Sequence, residues 1–273
     1  MRAVTSLVTK PHTPDRFPHS LNVSVHNLPR LVSDCDLAGG TVIVVDLLRA
    51  STTICVALGA GAECVIPLLE VEHALAMASH FDRDAVILGG ERHGTMIKGF
   101  DLGNSPLEYL PERVWERKLL FTTTNGTRAL LHARMARHVL IGAAVNRAAI
   151  AAAAHGSPHV HLLCAGTDGD ITGEDILAAG AIVSELVSLP TDKPLNLNLE
   201  AQEALRQWKA LITSARSLGL SVSEHFASEL QDTPGGKNLL AIGHGPDLMA
   251  CAQLDTLDVV PEWNRNTGRI TLR

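Results

Sequence analysis

Four polar clusters follow predicted strands, and their residue types are those that hold a phosphate beside a divalent cation. In the first cluster, Asp46 directly follows the apolar run 41–45. Arg49, Ser51 and Thr52 come next, where a helix is predicted to begin. Helix N-termini favour anions because they present free N–H groups and a partial positive charge. The alternative interpretation is that Ser51 or Thr52 caps the helix while Asp46 and Arg49 form an ion pair.

The second cluster is a polar, glycine-rich loop at 89–106, after the strand predicted at 85–88. It carries Glu91, Asn104 and Ser105. Loops of this length inside compact domains are usually functional, which favours a role in binding. The alternative is a plain helix start, since Ser105 is followed by a proline.

The third cluster is TTTNGT at 122–127, at the end of the strand predicted at 118–122. Hydroxyl donors and a glycine at the beginning of a helix allow a phosphate to approach the backbone closely. An Asn-Gly pair alone would indicate an ordinary turn. Three threonines before that pair favour the anion-binding interpretation.

The fourth cluster places several carboxylates after the strand predicted at 159–164. Asp168 and Asp170 lie in the loop, and Glu174 and Asp175 lie in the first turn of the next helix. Oxygen-rich groups of this kind are what Mg²⁺ requires. The alternative is a capping box, with Thr172 as the N-cap and Asp175 three residues later.

These clusters give one catalytic hypothesis. We expect a Mg²⁺ ion surrounded, directly or through water, by Asp46, Glu91, Glu174 and Asp175. Magnesium usually takes only one or two carboxylates, so at most two of them need contact the ion. The predicted catalytic residues are Asp46, Arg49, Glu174 and Asp175, and the predicted substrate-binding residues are Ser51, Thr52, Asn104, Ser105, Thr123, Thr124, Asn125, Gly126 and Thr127. A water molecule activated by the metal is the expected nucleophile, and Asp46 forming a phosphoenzyme is the alternative.

The elements that must position these residues alternate between strand and helix. Short apolar runs at 41–45, 64–67, 85–88, 118–122, 138–141 and 159–164 predict strands, and the segments between them predict helices. This alternation indicates a three-layer α/β/α fold with a largely parallel or mixed sheet. Ligands bind at the carboxyl ends of strands in such sheets, where all four clusters lie. Further helices are predicted at 200–218, 221–230 and 246–254, packed onto the same core.

Several familiar phosphate chemistries do not fit the sequence. There is no P-loop motif, and no G-x-G-x-x-G follows the first strand. A cysteine phosphatase would need an arginine at position 170, six residues after Cys164, where this chain has an aspartate. A haloacid dehalogenase-type phosphatase would need a second aspartate two residues after Asp46, where this chain has Leu48.

Composition limits the other function classes. The chain has 273 residues, a net charge of -6 and 3% aromatic residues, so we expect no nucleic-acid partner. No apolar run is long enough for a membrane span, and five cysteines without a CxxC pair argue against a secreted disulfide framework. We therefore expect a cytoplasmic protein. Residues 1–20 are predicted to be a flexible extension and 21–273 a single domain; assembly into a homo-oligomer is left open.

Five stretches together resemble the 2-phosphosulfolactate phosphatase family, the ComB-like phosphatases. They are DLLRASTT at 46–53, GERHGTMIKGFDLGNSPLEY at 90–109, TTTNGTRAL at 122–130, CAGTDGDITGEDILAAG at 164–180 and GHGPDLMACAQLDTLDVVPE at 243–262. Any one stretch would be weak evidence, but five in the family's order are specific.

The resemblance implies a ComB-like α/β fold and Mg²⁺-dependent hydrolysis of 2-phospho-3-sulfolactate to 3-sulfolactate and phosphate. In the organisms for which the family is named, this reaction is a step of coenzyme M biosynthesis. The expected partner is thus a small phosphorylated, sulfonated acid or a related phosphorylated hydroxy-acid. Candidate cations for its other acidic groups are Arg92, Lys98, Arg128 and Arg147. The alternative function is a non-catalytic anion-binding or metabolite-sensing protein on the same scaffold.

Overall fold

The computed structural model describes residues 20–273, so the predicted extension at 1–20 lies outside the described residues except for Ser20. The described chain contains eleven strands. They are β1 (Leu21–His26), β2 (Thr41–Val45), β3 (Cys64–Leu68), β4 (Val86–Arg92), β5 (Thr95–Met96), β6 (Lys118–Thr122), β7 (His138–Ile141), β8 (His159–Cys164), β9 (Leu195–Leu197), β10 (Pro261–Asn264) and β11 (Arg269–Leu272).

The same residues contain ten α-helices, besides short 3-10 turns. They are α1 (Ala50–Gly59), α2 (Val71–Ala78), α3 (Pro111–Val114), α4 (Gly126–His132), α5 (Arg147–Ala154), α6 (Gly173–Ser188), α7 (Leu199–Leu218), α8 (Val222–Asp232), α9 (Pro234–Ala241) and α10 (Pro246–Ala252). Within the described part of the chain, each helix is too short or too polar to cross a lipid bilayer.

All eleven strands form one mixed sheet in the order β5-β4-β6-β3-β11-β10-β7-β2-β8-β1-β9. In one half of the sheet, β6 pairs in parallel with β4 on one side and with β3 on the other. In the other half, neighbouring strands are parallel in the order β7, β2, β8, β1 and β9. The antiparallel hairpin of β10 and β11 connects these two halves. The predicted three-layer α/β/α class with a largely parallel or mixed sheet is therefore confirmed, and the sheet is mixed.

The core explains why the sequence folds in this way. Every residue of β2 is buried, as expected for an apolar strand covered on both faces. The C-terminal helices contribute Trp208 and Phe226, whose rings meet edge-to-face with centroids 5.3 Å apart. Both rings belong to the same hydrophobic core as β2, so these helices pack where they were predicted to pack.

Several elements differ from their predictions. The strands β1 and β9 were not predicted. The sequence LNVSVH of β1 has the alternation of a strand with one buried face, a signal that a search for continuous apolar runs overlooks, and β9 has only three residues, which pair with β1. Helix α9 was not predicted because it begins with a proline and two glycines. The segment between β6 and β7, which the sequence predicts to be helical, is α-helical only from Gly126 to His132 and then tightens into a 3-10 turn.

Candidate active site

A cleft of about 310 Å³ opens at the carboxyl ends of β2, β4, β6 and β8. Its walls come from the segments that follow these strands, and each of the four predicted clusters contributes residues to them. Helix α9 forms a further wall through Gly235, Asn238 and Leu239. The four clusters therefore meet at one place, as the strand-end argument predicted, although the α9 wall was not predicted.

Asp46 lies at the end of β2 and lines the cleft, yet it is only 8% exposed. Burial, together with the nearby carboxylates of Glu91 and Glu174, raises the pKa of its carboxyl group from 3.8 to about 7. The backbone N–H groups of Ala50, whose nitrogen lies 3.4 Å from Asp46 Oδ1, and of Gly126 act in the opposite direction and lower this pKa. A cation beside Asp46 would remove the electrostatic cost of ionising it.

Asp175 holds the ends of two strands together. Its Oδ1 accepts the N–H of Leu47 at 2.9 Å, and its Oδ2 accepts the N–H of Gly166 at 2.9 Å. These residues follow β2 and β8, so the carboxylate bridges the two loops behind Asp46. Thr172 is the N-cap residue of α6, but its side chain makes no capping hydrogen bond, so the capping-box alternative is wrong.

Glu174 is buried beside Asp175 but has a different environment. Its side chain is 2% exposed, and its Oε2 has no hydrogen-bond partner among the described residues. Burial raises the pKa of this carboxyl group, and hydrogen bonds from Thr233 and Gly235 only partly oppose the shift. A Cβ atom at Gly235 would overlap Glu174 Oε1, so α9 approaches the carboxylate as closely as a glycine allows.

Glu91 organises the opposite wall. Its Oε1 accepts the N–H of Thr124 and its Oε2 accepts the N–H of Gly94, both at 2.8 Å. The carboxylate therefore fixes the β4–β5 turn and the loop after β6 relative to each other. With both oxygens engaged by backbone donors, Glu91 serves the loop structure in addition to lining the cleft.

The loop after β6 presents Thr123, Thr124 and Asn125 to the cleft. Asn125 Oδ1 accepts the N–H of Asp168 at 3.2 Å, which joins this loop to the one after β8. Gly126 does not line the cleft, but a Cβ atom there would lie 2.9 Å from Asp46 Oδ2. The glycine thus allows the loop to approach Asp46 closely.

The remaining predicted binding residues divide into two groups. Asn104 lines the cleft, and its Oδ1 lacks a partner among the described residues. The second group consists of hydroxyl residues whose side chains form hydrogen bonds within the protein, behind the wall of the cleft. Ser51 bonds to Val44 O and the Asp46 N–H, Thr52 to Leu47 O, Ser105 to Asp247, and Thr127 to Thr123. We therefore assign this second group to positioning the cleft wall.

Arg49 is 2% exposed and lines the cleft, but it does not pair with Asp46. Its Nη1 donates to Asp247 Oδ2 and its Nη2 donates to Gly94 O, each at 2.6 Å. The predicted alternative of an Asp46–Arg49 ion pair is therefore wrong. Asp247 lies in the stretch 243–262 that carries part of the family resemblance. It is 198 residues from Arg49 in the sequence, so the contact between them could not be predicted from spacing.

The other candidate cations lie away from this cleft. Arg92, Lys98, Arg128 and Arg147 are absent from its wall. Arg147 instead pairs with Glu185 at 2.9 Å and with Asp255 at 2.8 Å. Among the described residues, Arg49 and His93 are the lining residues that can carry positive charge.

The donor set fits a hard cation held by few protein ligands. No group of three or more His, Cys, Asp or Glu within residues 20–273 is arranged to hold a metal. Asp175 and Glu91 give both oxygens to backbone N–H groups, whereas Glu174 keeps an orphaned oxygen near Asp46. Magnesium usually retains several waters and takes one or two carboxylates, so Asp46 and Glu174 would suffice to hold one.

Comparison with known proteins gives a consistent result. A family model described as 2-phosphosulpholactate phosphatase matches residues 26–266. Two relatives, each named probable 2-phosphosulfolactate phosphatase, come from Caldanaerobacter subterraneus subsp. tengcongensis and Symbiobacterium thermophilum. The first is 36% identical over 232 residues, covering 85% of this chain and 90% of its own length. The second is 39% identical over 241 residues, covering 87% and 96%.

The buried charge of Asp46 gives the first prediction. When an acid has a higher pKa in the folded than in the unfolded state, the folded protein becomes less stable as the pH rises between the two pKa values, here from 3.8 to about 7. Asp46→Asn should therefore raise the free energy of unfolding at pH 8 by about 1–3 kcal/mol in EDTA, and by less towards pH 4. Urea denaturation measures this change. Asp170→Asn, an exposed change in the loop after β8, is the control, and a less stable Asp46→Asn protein at pH 8 would contradict the expectation.

The contact between α9 and Glu174 gives the second prediction. Gly235→Ala should lower the free energy of unfolding by about 1–3 kcal/mol, because the new methyl group displaces a buried carboxylate. Gly173→Ala is the matched control, since its nearest neighbour would be Thr233 Cγ2 at an ordinary 3.8 Å. If urea denaturation showed equal stability for the two variants, the Glu174 side chain could move aside without loss of stability, and the prediction would be wrong.

Proposed function

The chain belongs to the 2-phosphosulfolactate phosphatase family and is a phosphoric monoester hydrolase, and on that premise we propose its substrate and cofactor. The substrate is 2-phospho-3-sulfolactate or a related phosphorylated small hydroxy-acid, and the cofactor is Mg²⁺. The observation that carries the proposal is the excess of buried carboxylates around a cleft that also offers donors for an anion. The names of the relatives support the choice of substrate.

Charge supports a divalent cation. Asp46, Glu91 and Asp168 line the cleft with Glu174 close behind, and Arg49 already has Asp247 as its counter-ion. A phosphate monoester carries up to two negative charges, and like charges a few ångströms apart repel strongly when poorly solvated. A dianion can therefore bind here only if a cation or protons neutralise the carboxylates. Oxygen-rich ligands favour Mg²⁺ for that task.

The residues of this chain then have distinct tasks. Arg49 and the loop Thr123–Asn125 face the phosphoryl oxygens with N–H and hydroxyl donors. Asp46 and Glu174 hold the cation, while Asp175 and Glu91 fix the positions of the loops by accepting hydrogen bonds from backbone N–H groups. When bound, Mg²⁺ polarises the phosphoryl oxygens and lowers the pKa of an attacking water molecule.

Two nucleophiles are compatible with this arrangement. In the first, water attacks phosphorus in line, the ester bond breaks, and the alkoxide leaving group takes up a proton. In the second, Asp46 attacks phosphorus to form an acyl phosphate while the ester bond breaks and the alkoxide leaving group takes up a proton; water then hydrolyses the acyl phosphate, which releases inorganic phosphate and restores the carboxylate. Asp46 points its Oδ2 towards Gly126, beside the donors of Thr123–Asn125, so its position suits either task.

The size and lining of the cleft support a small substrate. Its volume of about 310 Å³ is at the lower end of the range of ligand pockets. Its walls combine polar loops with few apolar side chains, such as Leu48 and Leu239. The alternative of a non-catalytic anion-binding protein is not favoured, because binding an anion alone would not require buried carboxylates.

Turnover with defined substrates tests the proposed function. We expect hydrolysis of 2-phospho-3-sulfolactate, or of another phosphorylated hydroxy-acid in a panel, that depends on Mg²⁺ and is abolished by EDTA. Asp46→Asn should lower kcat at least about 100-fold, because it removes a metal ligand or the nucleophile. Asp192→Asn, an exposed change between α6 and β9, should leave kcat unchanged. Full activity in EDTA, or an active Asp46→Asn enzyme, would overturn the proposal.

Rapid quench with ³²P-labelled substrate decides between the nucleophiles. Attack by water predicts no radioactive protein at any time in the first turnover. Attack by Asp46 predicts an acid-stable, hydroxylamine-sensitive phosphoprotein that reaches a stoichiometric level when its hydrolysis is slow. Asp46→Asn is the control for the site of labelling.

A further inference from the structure

Arg49 and Asp247 form a buried ion pair between distant parts of the chain. Their side chains are both 2% exposed, and Arg49 Nη1 lies 2.6 Å from Asp247 Oδ2. Arg49 belongs to the first polar cluster and is the N-cap residue of α1, whereas Asp247 lies in the first turn of α10. The pair therefore joins the C-terminal helices directly to the wall of the cleft.

The carboxylate of Asp247 is itself fixed from several directions. Ser105 Oγ donates to its Oδ1 at 2.6 Å, so the second oxygen is also engaged. His244 Nδ1 lies 3.4 Å from the oxygen that meets Arg49. With both oxygens held, the carboxylate presents one defined orientation to the guanidinium group.

Arg49 still has donors to offer a ligand. A guanidinium group has five N–H bonds, and the protein uses one on Nη1 for Asp247 and one on Nη2 for Gly94 O. The remaining N–H bonds belong to a residue that lines the cleft. Bidentate binding of a phosphoryl group requires a guanidinium plane of fixed orientation, which two anchors on different nitrogens provide.

Stability alone does not account for this pair. Burying an arginine and an aspartate removes both charges from water, and well-packed apolar residues in their place are often equally stable or more stable. A pair that lies at the cleft wall and fixes the orientation of a ligand-facing guanidinium has a reason to be charged.

We propose that Asp247 is a positioning residue that holds the Arg49 guanidinium against the phosphoryl group during turnover. This inference rests on the proposed function, since it gives Arg49 a phosphoryl group to contact. Asp247 does not touch the substrate; it acts through Arg49, and Ser105 acts through Asp247. The C-terminal helices thereby take part in the reaction without supplying a group to the cleft at that point.

Steady-state kinetics of Asp247→Asn test the role in turnover. The amide keeps the shape but loses the charge, so kcat should fall about 10- to 100-fold while KM changes less than about threefold. In the double variant Arg49→Lys/Asp247→Asn, kcat should be no lower than in Arg49→Lys alone, because the two residues act as one unit. Asp255→Asn, which changes the Arg147–Asp255 pair outside the cleft, is the matched control and should retain wild-type kcat.

A second variant covers the case in which Asp247→Asn does not fold. Ser105→Ala leaves the ion pair in place and removes one hydrogen bond to Asp247 Oδ1, so we expect a smaller, roughly threefold to tenfold loss of kcat. Additive losses in the Arg49–Asp247 cycle, or wild-type kcat in both Asp247→Asn and Ser105→Ala, would overturn the positioning role.

Chemical modification separates this inference from the proposed function. Phenylglyoxal labelling of Arg49, followed by peptide mass spectrometry in the absence of substrate, reports how firmly the guanidinium is held. Labelling should be at least about threefold faster in Asp247→Asn than in wild type and unchanged in Asp255→Asn. An unchanged rate in Asp247→Asn would overturn the inference even if the enzyme is a phosphatase. A faster rate in a protein without phosphatase activity would refute the proposed function and leave the Asp247–Arg49 restraint supported.

Discussion

The repulsion among buried carboxylates at one edge of the sheet is the constraint on which the rest of the site depends. Asp46, Glu174 and Asp175 share a small volume, and burial raises the pKa of each. Such a cluster opposes folding when it is ionised and unpaired. The protein limits this cost with backbone N–H groups at Asp175, while Glu174 Oε2 has no partner within residues 20–273. A cation at that oxygen would turn the repulsion into binding energy.

The fold concentrates these groups by its topology. Parallel strands end at one edge, so loops distant in sequence converge there, and carboxylates then join the loops to one another. Asp175 bridges the ends of β2 and β8, and Glu91 bridges the β4–β5 turn and the loop after β6. The same residue type thus serves two purposes. Asp175 and Glu91 give both oxygens to backbone N–H groups and order the loops, whereas Glu174 Oε2 has no partner among the described residues and Asp46 accepts the Ala50 N–H only at 3.4 Å, which is why we propose these two for the chemistry.

The sequence was sufficient to predict the fold class and the meeting of the four clusters, because both follow from local patterns. Strand identity needs only apolar runs such as 41–45, and the parallel topology brings the strand ends together. The hydrogen-bond partner of each polar side chain was not predictable in the same way. Arg49 had a nearby carboxylate at Asp46 but pairs with Asp247. Ser105 likewise bonds to Asp247, which lies 142 residues further along the chain, so its partner is set by the tertiary fold.

The proposed reaction requires phosphate and a divalent cation to occupy this cleft together. Isothermal titration of the wild-type protein with inorganic phosphate, in Mg²⁺ and in EDTA, measures that coupling most directly. We expect phosphate to bind at least about tenfold more tightly with Mg²⁺, and Mg²⁺ to bind more tightly with phosphate by the same factor. Equal phosphate affinity in Mg²⁺ and in EDTA would contradict the claim.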